Sequence, residues 1–278
     1  MRSGTLAVLG ARSLLGQPLL QPAAERYARV VAFSRQPPVD AKTAAWVWAD
    51  PCTAEAPGPL EDWVSVAPIW VVPDYFSLIE RSGGRRLVVL SSTSVLTKAS
   101  SDDPHERAVV ERLQTGEAGV KAWAASRDID CTVLRPTLVY GYRRDQNVEA
   151  IARMIRRLGW VALPSGAHGQ RQPVHADDVA AAALAALARA DGQRTFILSG
   201  GETLSYRAMV ERIFAAEGRR PRILTLPLPL LALPARLGLP GLPSAAMLRR
   251  MREDLVFDHA AARTALGFEP RPFQPGPL

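Results

Sequence analysis

Apolar residues fall in short runs whose spacing alternates between that of strands and that of helices along most of the chain. Thr5-Leu6-Ala7-Val8-Leu9 predicts a strand, and Gly10-Ala11-Arg12-Ser13-Leu14-Leu15-Gly16 a small-residue turn that leads into an apolar helix over residues 14–29, with Pro18 near its start. Arg29-Val30-Val31-Ala32-Phe33 predicts a second strand, Trp46-Val47-Trp48-Ala49 a third and Ile69-Trp70-Val71-Val72 the next. A helix follows over 75–81, then a clearer strand, Leu87-Val88-Val89-Leu90, and a long helix over 104–124. Thr132-Val133-Leu134 is read as a strand broken by Arg135-Pro136, and Thr195-Phe196-Ile197-Leu198 as a returning strand. Strands alternating with helices at this spacing predict an α/β fold, a parallel sheet with helices on both faces.

The second half is less regular. A polar segment, Arg143-Arg144-Asp145-Gln146-Asn147, enters a helix that runs to Leu158, and Ser205 is placed to cap a further helix carrying Met209, Val210, Ile213 and Phe214. The expected organisation is a core α/β domain over 1–142. Residues 143–278 hold the remaining sheet elements and a smaller lobe, interleaved with the first domain. Residues 224–242 are apolar but interrupted by prolines and Arg236, so they predict packing of the lobe or a lipid-like or quinone-like pocket, not a membrane span.

Composition narrows the classes of function. With 278 residues, 47% of them hydrophobic, the chain can bury a large core. A net charge of +7 attracts anions, but the arginines are scattered and no basic run is interleaved with aromatics, so there is no specific nucleic-acid signal. Cys52 and Cys131 form neither a metal motif nor a disulfide framework. The first apolar segment is broken by Gly10 and Arg12, which does not read as a secretion leader; a cytoplasmic location is the expectation. His175, Asp177 and Asp178 lack a further histidine or cysteine at metal-ligand spacing, so no metal is expected, and Asp178 is assigned as the cap of the helix that starts near Val179.

The chemistry starts at the first turn. Gly10 allows a backbone turn that a side chain obstructs, Gly16 allows close packing, and the free N–H groups between them suit a phosphate-bearing ligand. At the end of the second strand, where an acid selects the free ribose of NAD, stand Ser34 and Arg35, with Arg12 in the turn and Asp40 beyond the prolines. Positive charge there favours the extra phosphate of NADP(H), with NAD(H) the second choice; the alternative is that both arginines are solvated or paired elsewhere.

Together with Leu90-Ser91-Ser92-Thr93, Leu134-Arg135-Pro136-Thr137-Leu138-Val139-Tyr140-Gly141 and Pro173-Val174-His175-Ala176-Asp177-Asp178-Val179-Ala180, the turn resembles the extended short-chain dehydrogenase/reductase superfamily. Its NAD-dependent epimerase/dehydratase-like members are the particular likeness, with Ser13 in place of the usual middle glycine. The resemblance implies a Rossmann-type fold and assigns Gly10, Arg12, Ser13, Leu14, Leu15 and Gly16 to the pyrophosphate loop. It places Ser34 and Arg35 at the adenosine side, Ser91, Ser92, Pro136 and Thr137 along the cofactor, and Thr93 at the reacting end. Ser91, Ser92 and Thr93 are equally readable as backbone caps at a strand end.

Alignment through Glu117 and Arg135-Pro136 puts Val109 and Leu113 where the superfamily carries its catalytic tyrosine and lysine. Neither side chain can donate or accept a proton. Tyr75 and Tyr140 are weaker candidates for replacement, with Tyr142 nearby, and Lys121 is expected to face solvent or the cofactor's periphery. The leading expectation is thus an NADP-binding oxidoreductase or nucleotide-sugar-epimerase-like protein acting on a small molecule, without the usual Tyr/Lys mechanism. The alternative is a noncatalytic dinucleotide-binding regulator or assembly protein that acts through a protein partner or oligomerisation.

Overall fold

The computed structural model describes residues 4–36, 45–52, 58–98, 101–189, 194–227, 229–230 and 245–276. Asp40, most of the stretch 51–59 and most of the apolar segment 224–242 therefore lie outside the described residues. Seven parallel strands form the central sheet: β1 (Thr5–Leu9), β2 (Arg29–Phe33), β3 (Val47–Ala49), β4 (Asp62–Ser65), β5 (Arg86–Leu90), β6 (Asp130–Pro136) and a last one, Arg194–Leu198, in the spatial order Arg194–Leu198, β6, β5, β4, β1, β2, β3. This is the Rossmann-like α/β arrangement. The middle strands are buried on both faces, which is why they read as continuous apolar runs.

Two apolar layers cover the sheet. On one face, α1 (Gln17–Arg26) and the helix Ala176–Leu187 pack over Leu6, Val8, Val30, Val88 and Leu134. On the other, α2 (Phe76–Arg81), the long helix Pro104–Ser126 and a 3-10 helix, Ile69–Tyr75, cover Ala7, Leu9, Val31, Leu87 and Val133. A third cluster, built from residues between Tyr140 and Phe273, forms beside the sheet around Ile155, Met209, Ile213 and Phe214. Among the described residues no helix is long and apolar enough to cross a membrane.

Several elements differ from the sequence reading. The expected strand at Ile69–Val72 is the 3-10 helix, and the fourth strand is instead Asp62–Ser65. Pro68 precedes the 3-10 helix and Pro73 lies inside it, removing ladder donors, while Ile69 and Val72 share one buried face at a spacing of three. Helix α1 starts at Gln17 instead of Leu14, because residues 10–16 are spent on the turn. β6 runs on through Pro136 in register with Leu198, so Arg135-Pro136 does not break it.

Candidate functional site

β1 has β2 on one side and β4 on the other, so the chain departs in opposite directions from neighbouring strands and a crevice opens beyond their carboxyl ends. Gly10, at φ +79°, leaves β1 there; a Cβ on it would lie 3.0 Å from the Ala67 amide nitrogen beyond β4. A Cβ on Gly16 would lie 2.4 Å from the Gly10 carbonyl oxygen. Gly16 therefore closes the turn on itself, a tighter role than the helix-to-sheet packing expected of it. Ser13 donates its amide to the Gly10 carbonyl at 2.8 Å, and its hydroxyl accepts from the Gly16 amide at 3.1 Å. The amides of Arg12, Leu14 and Leu15 have no hydrogen-bond partner among the described residues.

The crevice beside this turn has a volume of about 780 Å³ and is lined by Gly10, Arg12, Ser13, Ser34, Arg35, Val66, Tyr75 and Arg144, among others. Among the described residues that line it, three are arginines and none is a carboxylate. Arg12 crosses to the end of β2, where it donates to the Gln36 carbonyl, and the Ser34 hydroxyl accepts from the Gln36 amide. Burial raises the Tyr75 hydroxyl pKa, and its place is in this crevice.

A second cavity, of about 500 Å³, lies beyond the ends of β5 and β6. Leu14, Ser92, Thr93, Ser94 and Thr137 line its sheet side. Thr93 is buried and donates both its amide and its hydroxyl to the Pro136 carbonyl, at 3.1 and 3.3 Å. Thr137 donates its hydroxyl to the Gln172 carbonyl at 2.5 Å. Ser92 turns to the start of the short helix Ser94–Thr97, accepting from the Ser94 amide. Ser91 points elsewhere: its hydroxyl donates to Glu117, which also accepts two bonds from Arg135. Leu15 packs into the core layer over α1, and Pro136 lines neither cavity.

Arg144 is shared by both cavities. Its guanidinium donates to the Gln17 side chain and, at 2.6 Å, to the backbone carbonyl of Arg12, so it crosses above the glycine turn. It is delivered there by a corner in which Gly141, Tyr142 and Arg143 have φ of +139°, +55° and +54°. Two successive non-glycine residues in the left-handed region are costly and persist only when held from outside. Tyr142 is held by Asp177, and Arg143 by Glu217 at 3.1 Å. Nothing local in the sequence connects Arg144 to residue 12; the corner that carries it is the only early trace.

Other assignments change. His175, not Asp178, caps the helix Ala176–Leu187: its Nδ1 accepts from the Asp177 amide at 3.2 Å, while Asp178 accepts from Arg271 at 2.9 Å. Its extended backbone lets the His175 ring fold over the helix start as an aspartate does in sequence-based rules. Tyr140 is 2% exposed, accepts a bond from the Gln274 amide and lies edge-on to His175 and Phe273, lining neither large cavity. Lys121 donates to Thr195 at 2.8 Å, joining the long helix to the last strand of the sheet instead of facing solvent. Leu113 is buried and Val109 half-buried against the layer that includes Ile69.

Residues 74–198 match the model of the NAD dependent epimerase/dehydratase family. Nearly the whole chain superposes on MoeE5 in complex with UDP-glucuronic acid and NAD (TM-score 0.70, 21% identity, 97% of this chain and 95% of that one). It also superposes on the UDP-glucuronic acid 4-epimerase from Bacillus cereus in complex with NAD (TM-score 0.73, 14% identity, 97% and 94%). At these identities the likeness establishes the fold. A curated relative, the uncharacterized protein y4nG of Sinorhizobium fredii, is 29% identical over 153 residues, which span 53% of this chain and 38% of that protein.

Proposed function

We propose, from the match of residues 74–198 to the model of the NAD dependent epimerase/dehydratase family, that this protein binds NADP(H) along the carboxyl ends of its strands and catalyses oxidation, reduction or epimerisation of a small molecule. The observation that carries the reading is the crevice lined by Arg12, Arg35 and Arg144, with no carboxylate lining it among the described residues. A free ribose would call for an acid there, whereas a 2′-phosphate calls for cations.

The turn supplies the remaining recognition. The amides of Arg12, Leu14 and Leu15 face a phosphate pair, and the Ser13 hydroxyl, while accepting from Gly16, keeps its own proton to donate. Thr93 and Thr137 stand at the reacting end, where Thr93 orients a carbonyl or alcohol oxygen by exchanging its long bond to Pro136 for one to substrate. The bound cofactor supplies or accepts the hydride. Val109 and Leu113 offer no proton, so the acid–base role falls outside the pair of positions that the superfamily uses. A cytoplasmic setting belongs to the same proposal.

Calorimetric titration of the purified protein with NADP+ and NAD+ tests it. Tighter binding of NADP+, with Arg12→Ala and Arg35→Ala each weakening NADP+ but not NAD+, is the expected result. No binding of either dinucleotide overturns the reading, and a preference for NAD+ overturns the phosphate assignment. Cofactor-dependent stabilisation without turnover of any carbonyl or alcohol would point to the noncatalytic regulator.

A further inference from the structure

The cavity beyond β5 and β6 has a charge pattern and a continuation that the dinucleotide does not use. Lys98, Arg144, Arg171 and Arg250 line it, with Asp145 as the one lining carboxylate among the described residues. Asp145 is already engaged, accepting from the amides of Asn147 and Glu149 at 2.9 and 3.1 Å. Arg250 is paired with Glu106. The other three cations have no carboxylate partner among the described residues. Arg144 bonds an amide side chain and a carbonyl. Arg171 bonds only the carbonyls of Gln170, Glu253 and Arg250. Lys98 makes no side-chain hydrogen bond or ion pair among the described residues. Burial, and then the neighbouring Arg250, hold the Lys98 ammonium below its usual pKa, with Glu106 and Asp103 opposing the shift.

On the side away from the sheet, the same cavity shares Gln146, Asn147, Tyr206, Met247 and Met251 with a recess of about 380 Å³. That recess is continued by Ile151, Met154, Leu158, Trp160 and Val210 on its walls, and among the described residues no charged one lines it. Leu158 and Trp160, at its edge, are 49% and 40% exposed. Tyr206 stands at the junction, under the Arg171 guanidinium, which lies 5.4 Å from its ring centre. A nucleobase would require several donors and acceptors in such a recess; among the described residues Gln146 and Asn147, at its mouth, are the only amide side chains lining it.

We propose that the substrate is an amphipathic anion, its carboxylate or phosphate head held between Lys98, Arg171 and Arg144 and its hydrocarbon chain laid in the recess lined by Met154 and Trp160. This deepens the dinucleotide reading and rests on it for the direction of the head toward Thr93. The two compartments complement the two ends of such a molecule: unpaired cations gain an anion, and exposed apolar walls are covered. A nucleotide sugar would leave the recess facing polar atoms that it cannot satisfy.

The test uses the full chain and cis-parinarate, a fluorescent long-chain carboxylate, with NADP+ binding followed calorimetrically alongside. Saturable parinarate binding is expected, displaced by laurate or dodecyl phosphate and not by dodecanol; which of the two displaces better identifies the head group. Lys98→Met and Met154→Glu should each weaken it by about tenfold, the scale of one lost interaction of about 1.4 kcal/mol. Trp160→Glu, at the exposed edge, serves where Met154→Glu does not fold. Binding of NADP+ without saturable parinarate binding overturns the inference and leaves the dinucleotide reading standing. Parinarate binding with this variant pattern in a protein that binds no dinucleotide supports the amphipathic site and removes the cofactor reading. Equal displacement by dodecanol, displacement by UDP-glucose, or unchanged affinity in both recess variants overturns the inference.

Discussion

Glu117 on the long helix Pro104–Ser126 accepts two hydrogen bonds from the guanidinium of Arg135 on β6, at 2.9 and 2.5 Å, and a third from the Ser91 hydroxyl at the end of β5. One carboxylate thus fixes a helix to two strand ends next to the proposed reacting end. Its side chain is 7% exposed and that of Arg135 is 21% exposed. Replacing either by alanine leaves a buried charge without its partner, and a loss of about 3 kcal/mol in unfolding free energy is expected from denaturant titration.

The same pair sets an acid dependence. Burial alone would raise the Glu117 carboxyl, but the bonds from Arg135 and Ser91 hold it below the usual range. Its folded pKa is therefore lower than its unfolded one, so its contribution is complete above the unfolded value of about 4.3 and is lost as pH falls through the folded pKa. Glu117→Gln should flatten the fall of stability below about pH 4.3; an unchanged acid limb would contradict the assignment.

His175 works in the opposite sense of charge. Burial depresses its pKa, with Arg271 adding to the effect and Asp177 and Asp178 opposing it. The unfolded chain takes up the proton first, so stability should drop as pH falls through about 6.5 toward the lower folded value. Urea midpoints at pH 7.5 and 5.5 should differ less in His175→Asn, which keeps a cap acceptor without titrating.

At the glycine turn, Ser13→Ala removes the acceptor for the Gly16 amide and the proton offered to a phosphate. NADP+ affinity should fall by about 1 kcal/mol with little change in melting temperature. Gly16→Ala brings a Cβ to 2.4 Å from the Gly10 carbonyl oxygen, and dinucleotide binding should be abolished. Retained affinity in both variants would move the phosphate site away from this turn.

Tyr140 gives a contrasting expectation. Its hydroxyl accepts from the Gln274 amide inside the third cluster, so Tyr140→Phe should cost about 1 kcal/mol of stability and leave cofactor affinity unchanged. A variant with native stability and lost turnover would restore Tyr140 as a catalytic group.

Much of the sheet was legible because parallel strands are buried on both faces and leave runs such as Val30-Val31-Ala32 and Val88-Val89-Leu90. β4 was missed for the complementary reason: it is four residues long, with Asp62 and Ser65 at its ends, and Asp62 is buried only because Arg86 and Tyr27 satisfy it. The bulky apolar residues at 69–72 attracted the strand assignment that belonged seven residues earlier. Gly10, Arg12, Ser13 and Arg35 could be found from local spacing, since turn and strand end are contiguous stretches. Lys98, Arg144, Arg171 and Arg250 could not, because their common cavity is assembled from segments far apart in the chain.

Arg144 touches both cavities, and among the described residues its guanidinium bonds only the Arg12 carbonyl in the turn and the Gln17 side chain at the start of α1. Occupants of the two cavities therefore negotiate over one guanidinium. Such sharing couples their affinities, and thermodynamic linkage requires the coupling to be the same whichever arrives first. The strained corner at Tyr142 and Arg143 limits how far that guanidinium can swing. Any cooperativity between the two proposed occupants would thereby be a property of the corner, set by the backbone at residues that line neither cavity.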